Sequence, residues 1–144
     1  MLKLLSIIGY AGMVGGLLAL LAMKRFFSYS PIVIGLQVIG LLLMVWARIV
    51  FGRRSFHLAA NPTSGGLVTR GPYQFIRHPI YSGMCLATLA GVAGNWSWSS
   101  ALCGGLVLVC AAIRIFCEET LVSQRYPDYA QYSASTWRMI PYVY

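Results

Sequence analysis

The chain has 144 residues, 58% of them hydrophobic and only 10% charged, with 11 Lys+Arg against 3 Asp+Glu for a formal charge of +8. So apolar a chain is neither a disordered segment, which needs low hydrophobicity, nor a soluble globule, whose surface carries about 25–35% charged residues. The basic residues form no polybasic run and are separated by long apolar stretches, so the positive-inside bias of membrane loops explains the charge and nucleic-acid binding does not.

A helix that crosses a bilayer needs about 20 apolar residues. The first candidate is 4–22, closed by Lys24 and Arg25. It follows a lone Lys3. Its apolar core is too long for a signal peptide and no small-x-small cleavage site follows, so it reads as a retained helix. Gly12 and Gly16 form a GxxxG pair within it, which serves either close packing inside the chain or a homodimer contact. The second span is 31–51, with Pro31 suited to the first helical turn and Arg48 near enough to the end to snorkel. A polar connection from Gly52 to His78 follows. The third span is 79–96, counting Trp96 with Trp98 as an interfacial belt, and the fourth is 99–117. The remainder, Glu118 to Tyr144, is polar and aromatic. The expected fold is therefore an all-α integral membrane protein in one domain over 1–144. It has about four transmembrane helices, a cytoplasmic connecting loop and a C-terminal interfacial helix.

With four spans, one side holds Lys3, Arg53, Arg54, Arg70, Arg77, Arg125 and Arg138, and the other only Lys24 and Arg25. That asymmetry predicts both termini in the cytoplasm. A short chain with little beyond the core fits a prokaryotic inner membrane.

Cys103, Cys110 and Cys117 recur every seven residues and drift only about 20° per heptad along one helix face. Zinc ligands come about 2–4 residues apart in pairs, so these and Cys85 read as small residues in a helix seam, reduced and not metal-binding.

Polar groups that a membrane chain had no need to place mark function. The first cluster runs from Gly65 to Gly83. Pro79 opens a helix whose N-terminal N–H groups favour an anion, with Arg70, Arg77 and His78 beside it. Gly71-Pro72 supplies a turn, and Tyr73 and Tyr81 offer flat faces with hydroxyl handles. An interfacial loop with snorkelling arginines explains the same residues. The second cluster is Glu118-Glu119, which with Asp128 are the chain's only acids. At the end of the fourth span they oppose the helix dipole and need a cation. Arg114, four residues earlier, supplies one, and a bound cationic ligand could supply another. Tyr126, Tyr129, Tyr132, Trp137, Tyr142 and Tyr144 serve interfacial anchoring or an aromatic wall for an adenine or a sulfonium.

Several blocks resemble the isoprenylcysteine carboxyl methyltransferases, and more broadly the membrane methyltransferases that include phospholipid methyltransferases. They are Leu67-Val-Thr-Arg-Gly-Pro-Tyr73, Arg77-His-Pro-Ile-Tyr81-Ser-Gly83, Glu118-Glu119 with Leu121, Tyr129-x-x-Tyr132 and Arg138-x-Ile-Pro141. Trp46-Ala-Arg48 and the Gly52–Phe56 stretch are similar to the family's segment after the preceding span, so the likeness covers about Trp46 to Tyr142. Arg125-Tyr126 stands where the family usually has Phe-Gly, and Ser133 to Thr136 lacks its usual basic residues.

The resemblance implies a helical membrane enzyme that binds S-adenosylmethionine near the cytoplasmic face, methylates a lipid-tailed or prenylated acceptor and releases S-adenosylhomocysteine. By position, Tyr73, His78, Pro79, Tyr81 and Gly83 would line the cofactor pocket. Glu118 would face the cofactor or reacting centre, with Glu119 beside it. Arg77, Arg114 and Arg138 would hold a carboxylate, and Arg48, Arg138 and Tyr129 would meet the acceptor. Carboxyl O-methylation of an isoprenylcysteine-like substrate is the first expectation, with Arg114 orienting the acceptor. Phospholipid or amine N-methylation is the second, with Glu118 or His78 as general base. A non-catalytic membrane binding or assembly protein is the third.

Overall fold

Proline, glycine and serine set the boundaries of the helices. The structure, a computed structural model, describes residues 1–52 and 66–143. Helix α1 is Leu2–Ala22 and α2 is Pro31–Phe51. Pro31 sits where a missing N–H costs nothing, and Gly52 closes α2 at φ 69°. A short 3-10 turn, Gly71–Gln74, precedes α3, Pro79–Gly94, which again opens on proline. Helix α4 is Trp98–Arg125 and begins with a capping box. The Ser97 hydroxyl accepts from the Ser100 amide at 3.1 Å, and the Ser97 amide donates to the Ser100 hydroxyl at 2.9 Å. Helix α5 is Tyr129–Ala134. No strand occurs among the described residues, apart from an isolated parallel bridge between Ile76 and Trp137.

The expected end of the fourth span is corrected. Helix α4 does not stop at 117 but runs on to Arg125, so Glu118 and Glu119 lie about two turns inside it. Nothing between Thr120 and Arg125 breaks a helix. The stop is Pro127, which forces Tyr126 into an extended conformation (φ −119°, ψ 110°). The argument that the two acids sit against the dipole at a helix end therefore falls.

Helix α1 packs antiparallel along α4, and α2 antiparallel along α3, while α3 and α4 join the pairs over a shorter contact. Large apolar side chains such as Leu18, Ile32, Ile39, Leu42, Leu102 and Phe116 face outward. An exterior this apolar needs hydrocarbon for a solvent. Among the described residues, α1, α2 and α4 are long and apolar enough to cross a membrane. The third expected span is the exception. Helix α3 has 16 residues and ends before Trp96, about 24 Å of helix against a hydrocarbon core of about 30 Å. It is also largely buried, from Pro79 and Gly83 through Thr88 to Val92.

Gly12 and Gly16 face α4. A Cβ on Gly12 would lie 2.5 Å from Cys110 Sγ, and one on Gly16 would lie 2.7 Å from Val107 Cγ2. The face expected to serve packing or a homodimer is thus filled by this chain's own α4. The cysteine stripe is the other half of that seam, with Cys110 and Cys117 buried and all four thiols free. Arg53, Arg54 and most of the Gly52–Phe56 stretch, used above for topology and resemblance, lie outside the described residues.

Candidate active site

Gly71 stands at φ 62° with no room for a side chain, since a Cβ would lie 2.8 Å from Val50 Cγ2 and 3.5 Å from Trp46 Nε1. That fit seats the 3-10 turn on the end of α2. Pro72 and Tyr73 are buried there, and the Tyr73 ring meets Phe51 at 5.4 Å between centroids. The following residues run extended and are clasped by the chain's C-terminal part. The Trp137 amide donates to the Phe75 carbonyl at 3.0 Å, the Arg77 amide to the Trp137 carbonyl at 2.8 Å, and the His78 amide to the Arg138 carbonyl at 3.0 Å. Ser82 Oγ then donates to the Met139 carbonyl at 2.7 Å. This clasp brings residues from three distant segments to one end of the bundle.

Glu119 sits at the centre. Arg77 Nε donates to its Oε1 at 2.9 Å, and Arg138 Nη2 lies 2.9 Å from its Oε2. Arg77 Nη1 also donates to the Ser133 carbonyl at 2.9 Å and to the carbonyl of Thr136. The stretch from Ser133 to Thr136 thus offers backbone acceptors to an arginine. Glu118, one residue back and turned by about 100° on the helix, joins a different group. The Tyr81 hydroxyl donates to its Oε1 at 2.6 Å, and Arg114 Nε approaches the same oxygen at 3.1 Å and the Tyr81 hydroxyl at 2.5 Å. His78 lies between the two acids, with Nε2 at 3.3 Å from Glu119 Oε1 and Nδ1 at 3.8 Å from Glu118 Oε2.

Three arginines therefore converge on two carboxylates. The paired acids find their cations within the chain, in Arg114 and also in Arg77 and Arg138. Charges this far out of water persist only when paired and hydrogen-bonded. The side chain of Glu118 is 24% exposed and that of Glu119 14%, so Glu118 is the more open acid.

Helix α5 supplies the aromatic side. Tyr129 and Tyr132 stand edge to face at 6.2 Å, and the Tyr132 hydroxyl donates to the Tyr73 carbonyl at 2.7 Å. Burial pushes the Tyr132 phenol up to about 12. Burial also raises Tyr73 and Tyr129 above the ordinary phenol range, with the neighbouring Glu119 carboxylate adding to the effect on Tyr129. All three rings are neutral at pH 7. Beyond them lies a hollow of about 460 Å³ lined by Leu67, Thr69, Tyr126, Asp128, Gln131 and Tyr132.

Of the residues singled out in the sequence, Arg77, His78, Tyr81, Arg114, Glu118, Glu119, Tyr129 and Arg138 meet in one cluster, with Tyr73 at its edge. Pro79 is buried as the first residue of α3. Gly83 is accounted for differently, because a Cβ on it would lie 2.3 Å from the Gly40 carbonyl oxygen. It lies at the crossing of α3 with α2. Arg48 is exposed on the last turn of α2, on the Tyr73 side. Ser6 and Tyr10 on α1, which sequence reasoning missed, also reach Arg114. A carbonyl contact and a single tyrosine in an apolar helix leave no pattern to read.

An apolar helical body with a charge-paired, hydrogen-bonded cluster at one end defines a membrane protein with a polar site at its interface. The phospholipid methyltransferase family model matches residues 30–129, more than half of the chain, and the protein belongs to that family. It is accordingly a membrane methyltransferase by family and an integral membrane protein by fold. No curated protein and no solved structure matches it.

Proposed function

We propose that the protein transfers a methyl group from S-adenosylmethionine to a lipid-tailed acceptor, with carboxyl O-methylation of an isoprenylcysteine-like substrate as the first reading. The observation that carries it is the excess of arginine over carboxylate in the cluster at the end of an apolar bundle. The donor set fits the cofactor. Glu118 with Tyr81 presents a carboxylate to a cation, Arg77 and Arg138 present guanidinium groups to a carboxylate, and Tyr73, Tyr129 and Tyr132 offer ring faces to a base. When bound, S-adenosylmethionine supplies a methyl group already activated on a sulfonium sulfur.

The protein's share of the work is positioning and electrostatics. An acceptor carboxylate is ionised at pH 7 and needs no base, so Arg114 orients it. The Tyr81 hydroxyl keeps its proton toward Glu118, which holds that carboxylate in place. The apolar exterior lets the acceptor approach from the lipid side, with the cofactor site and both termini toward the cytoplasm. The family match favours a second reading, N-methylation of a phospholipid amine. In that case one proton must leave, and His78 or Glu118 takes it.

Calorimetry decides the cofactor. Glu118→Gln and His78→Ala are both expected to weaken S-adenosylmethionine binding about tenfold, on the scale of one charge-assisted hydrogen bond. Unchanged affinity in both variants overturns the assignment. Labelled-methyl transfer over a panel of prenylated cysteine and aminophospholipids separates the two acceptors.

A further inference from the structure

Helix α1 lies outside the segment matched by the family model and carries no motif. Yet it touches the cluster at three consecutive features. The Ser6 carbonyl accepts a hydrogen bond from Arg114 Nη1 at 3.3 Å, and Ser6 is fully buried. Gly9 brings the two backbones together beside that arginine, since a Cβ there would lie 3.1 Å from the Cys110 carbonyl oxygen and 3.7 Å from the Arg114 amide nitrogen. Arg114 Cζ then lies over the Tyr10 ring at 4.9 Å from its centroid. We infer that Tyr10 is a positioning residue: its ring, with the Ser6 carbonyl, holds the Arg114 guanidinium against Tyr81 and Glu118.

The argument is one of directions. Arg114 is 6% exposed, so its planar fork must find partners on every side. Nε is taken by Glu118 and Tyr81, and Nη1 by Ser6. The flat face can be covered only by another flat or apolar group, and a desolvated guanidinium over a ring gains more there than it would in water. Without the ring, the guanidinium can tilt toward α1 and loosen its grip on the Tyr81–Glu118 pair. The first helix thus completes the site as well as anchoring the chain.

Tyr10→Leu removes the π face at similar bulk, and Tyr10→Phe keeps it. Arg114 is expected to react with phenylglyoxal about three- to tenfold faster in Tyr10→Leu, located by peptide mass spectrometry, and at the wild-type rate in Tyr10→Phe. Equal rates in all three proteins overturn the inference, as does a Phe variant that behaves like Leu. Should the Leu variant not fold, the Arg114 Nε–H resonance of detergent-solubilised wild type decides, assigned by its loss in Arg114→Lys. Ring current from Tyr10 shifts it upfield of the other arginines, and an unshifted resonance overturns the inference. The consequence for activity rests on the methyltransferase reading. Tyr10→Leu then weakens S-adenosylmethionine binding or lowers kcat about three- to tenfold, and Tyr10→Phe restores both. If wild type binds no S-adenosylmethionine, that reading fails while the labelling and resonance results still settle the role of Tyr10.

Discussion

At the α2–α3 crossing, backbone meets backbone. Added Cβ atoms on Gly40 and Gly83 would lie 2.5 and 2.3 Å from the opposing helix's carbonyl oxygen. At the α1–α4 seam, glycine mostly meets side chain. Gly12 receives the Cys110 thiol and Gly16 the Val107 methyl, and the seam ends on a charged arginine. The first pair has no slack and serves as a rigid frame for the opening of α3. The second has soft, adjustable contacts and carries the polar chemistry. In a membrane, where lipid solvates apolar surface as well as a neighbouring helix does, both pairs rely on close packing and polar contacts for cohesion.

The largest break in that contrast should come at Gly83. Gly83→Leu pushes a side chain into the Gly40 backbone, which cannot move aside, and is expected to cost about 3 kcal/mol or more. Loss of the melting transition in detergent would show it, and an unchanged transition would refute the rigid frame. Next is Glu119→Gln, which leaves Arg77 and Arg138 facing a neutral amide. Removing one partner of a buried pair costs about 3–5 kcal/mol, and partial exposure of Arg138 brings the expected loss to about 2–3. Trypsin should then cut faster at Arg138, because the clasp opens, and an unaltered cleavage rate would count against the cluster's role in holding it.

A smaller effect lies in Tyr132. Its phenol is raised from 10.0 to about 12 in the folded state, so the neutral form is the one the fold favours. The associated stability is fully present below pH 10 and is lost as pH climbs toward about 12. Tyr132→Phe should shallow the fall in melting temperature between pH 8 and pH 11. It should also cost about 1 kcal/mol at neutral pH through the lost bond to Tyr73. The smallest effects sharpen the seam itself. Gly12→Ala must displace the Cys110 thiol and should cost about 1 kcal/mol. Gly15→Ala, which meets nothing within 4 Å, should gain about 0.5 from helix propensity. Equal shifts in the two variants would mean the seam does not pass through Gly12.

Much of the frame was legible in the sequence because single residues announce it. Pro31 and Pro79 open helices and the heptad cysteines mark a seam. The end of α4 was not legible by hydropathy, since an apolar run stops at Cys117 while the helix stops at Tyr126, before Pro127. In the cluster, only the Arg114–Glu118 pair follows from helix spacing. The partners of Glu119 arrive from segments far away in sequence, and only the fold brings Arg77 and Arg138 to it. The close approach of Gly83 to the Gly40 backbone also left no mark in the sequence, because it depends on how α3 crosses α2.

The bridge between Ile76 and Trp137 also sets a timetable. Chains emerge from the ribosome at about 5–20 residues per second, N-terminus first. Helices α1 and α2 can enter the bilayer while residue 137 is still being made. Until it emerges, Glu119 has no Arg138 and the extended segment before α3 has no clasp. The polar site is therefore completed last, by the C-terminal segment that supplies Arg138 and the clasp.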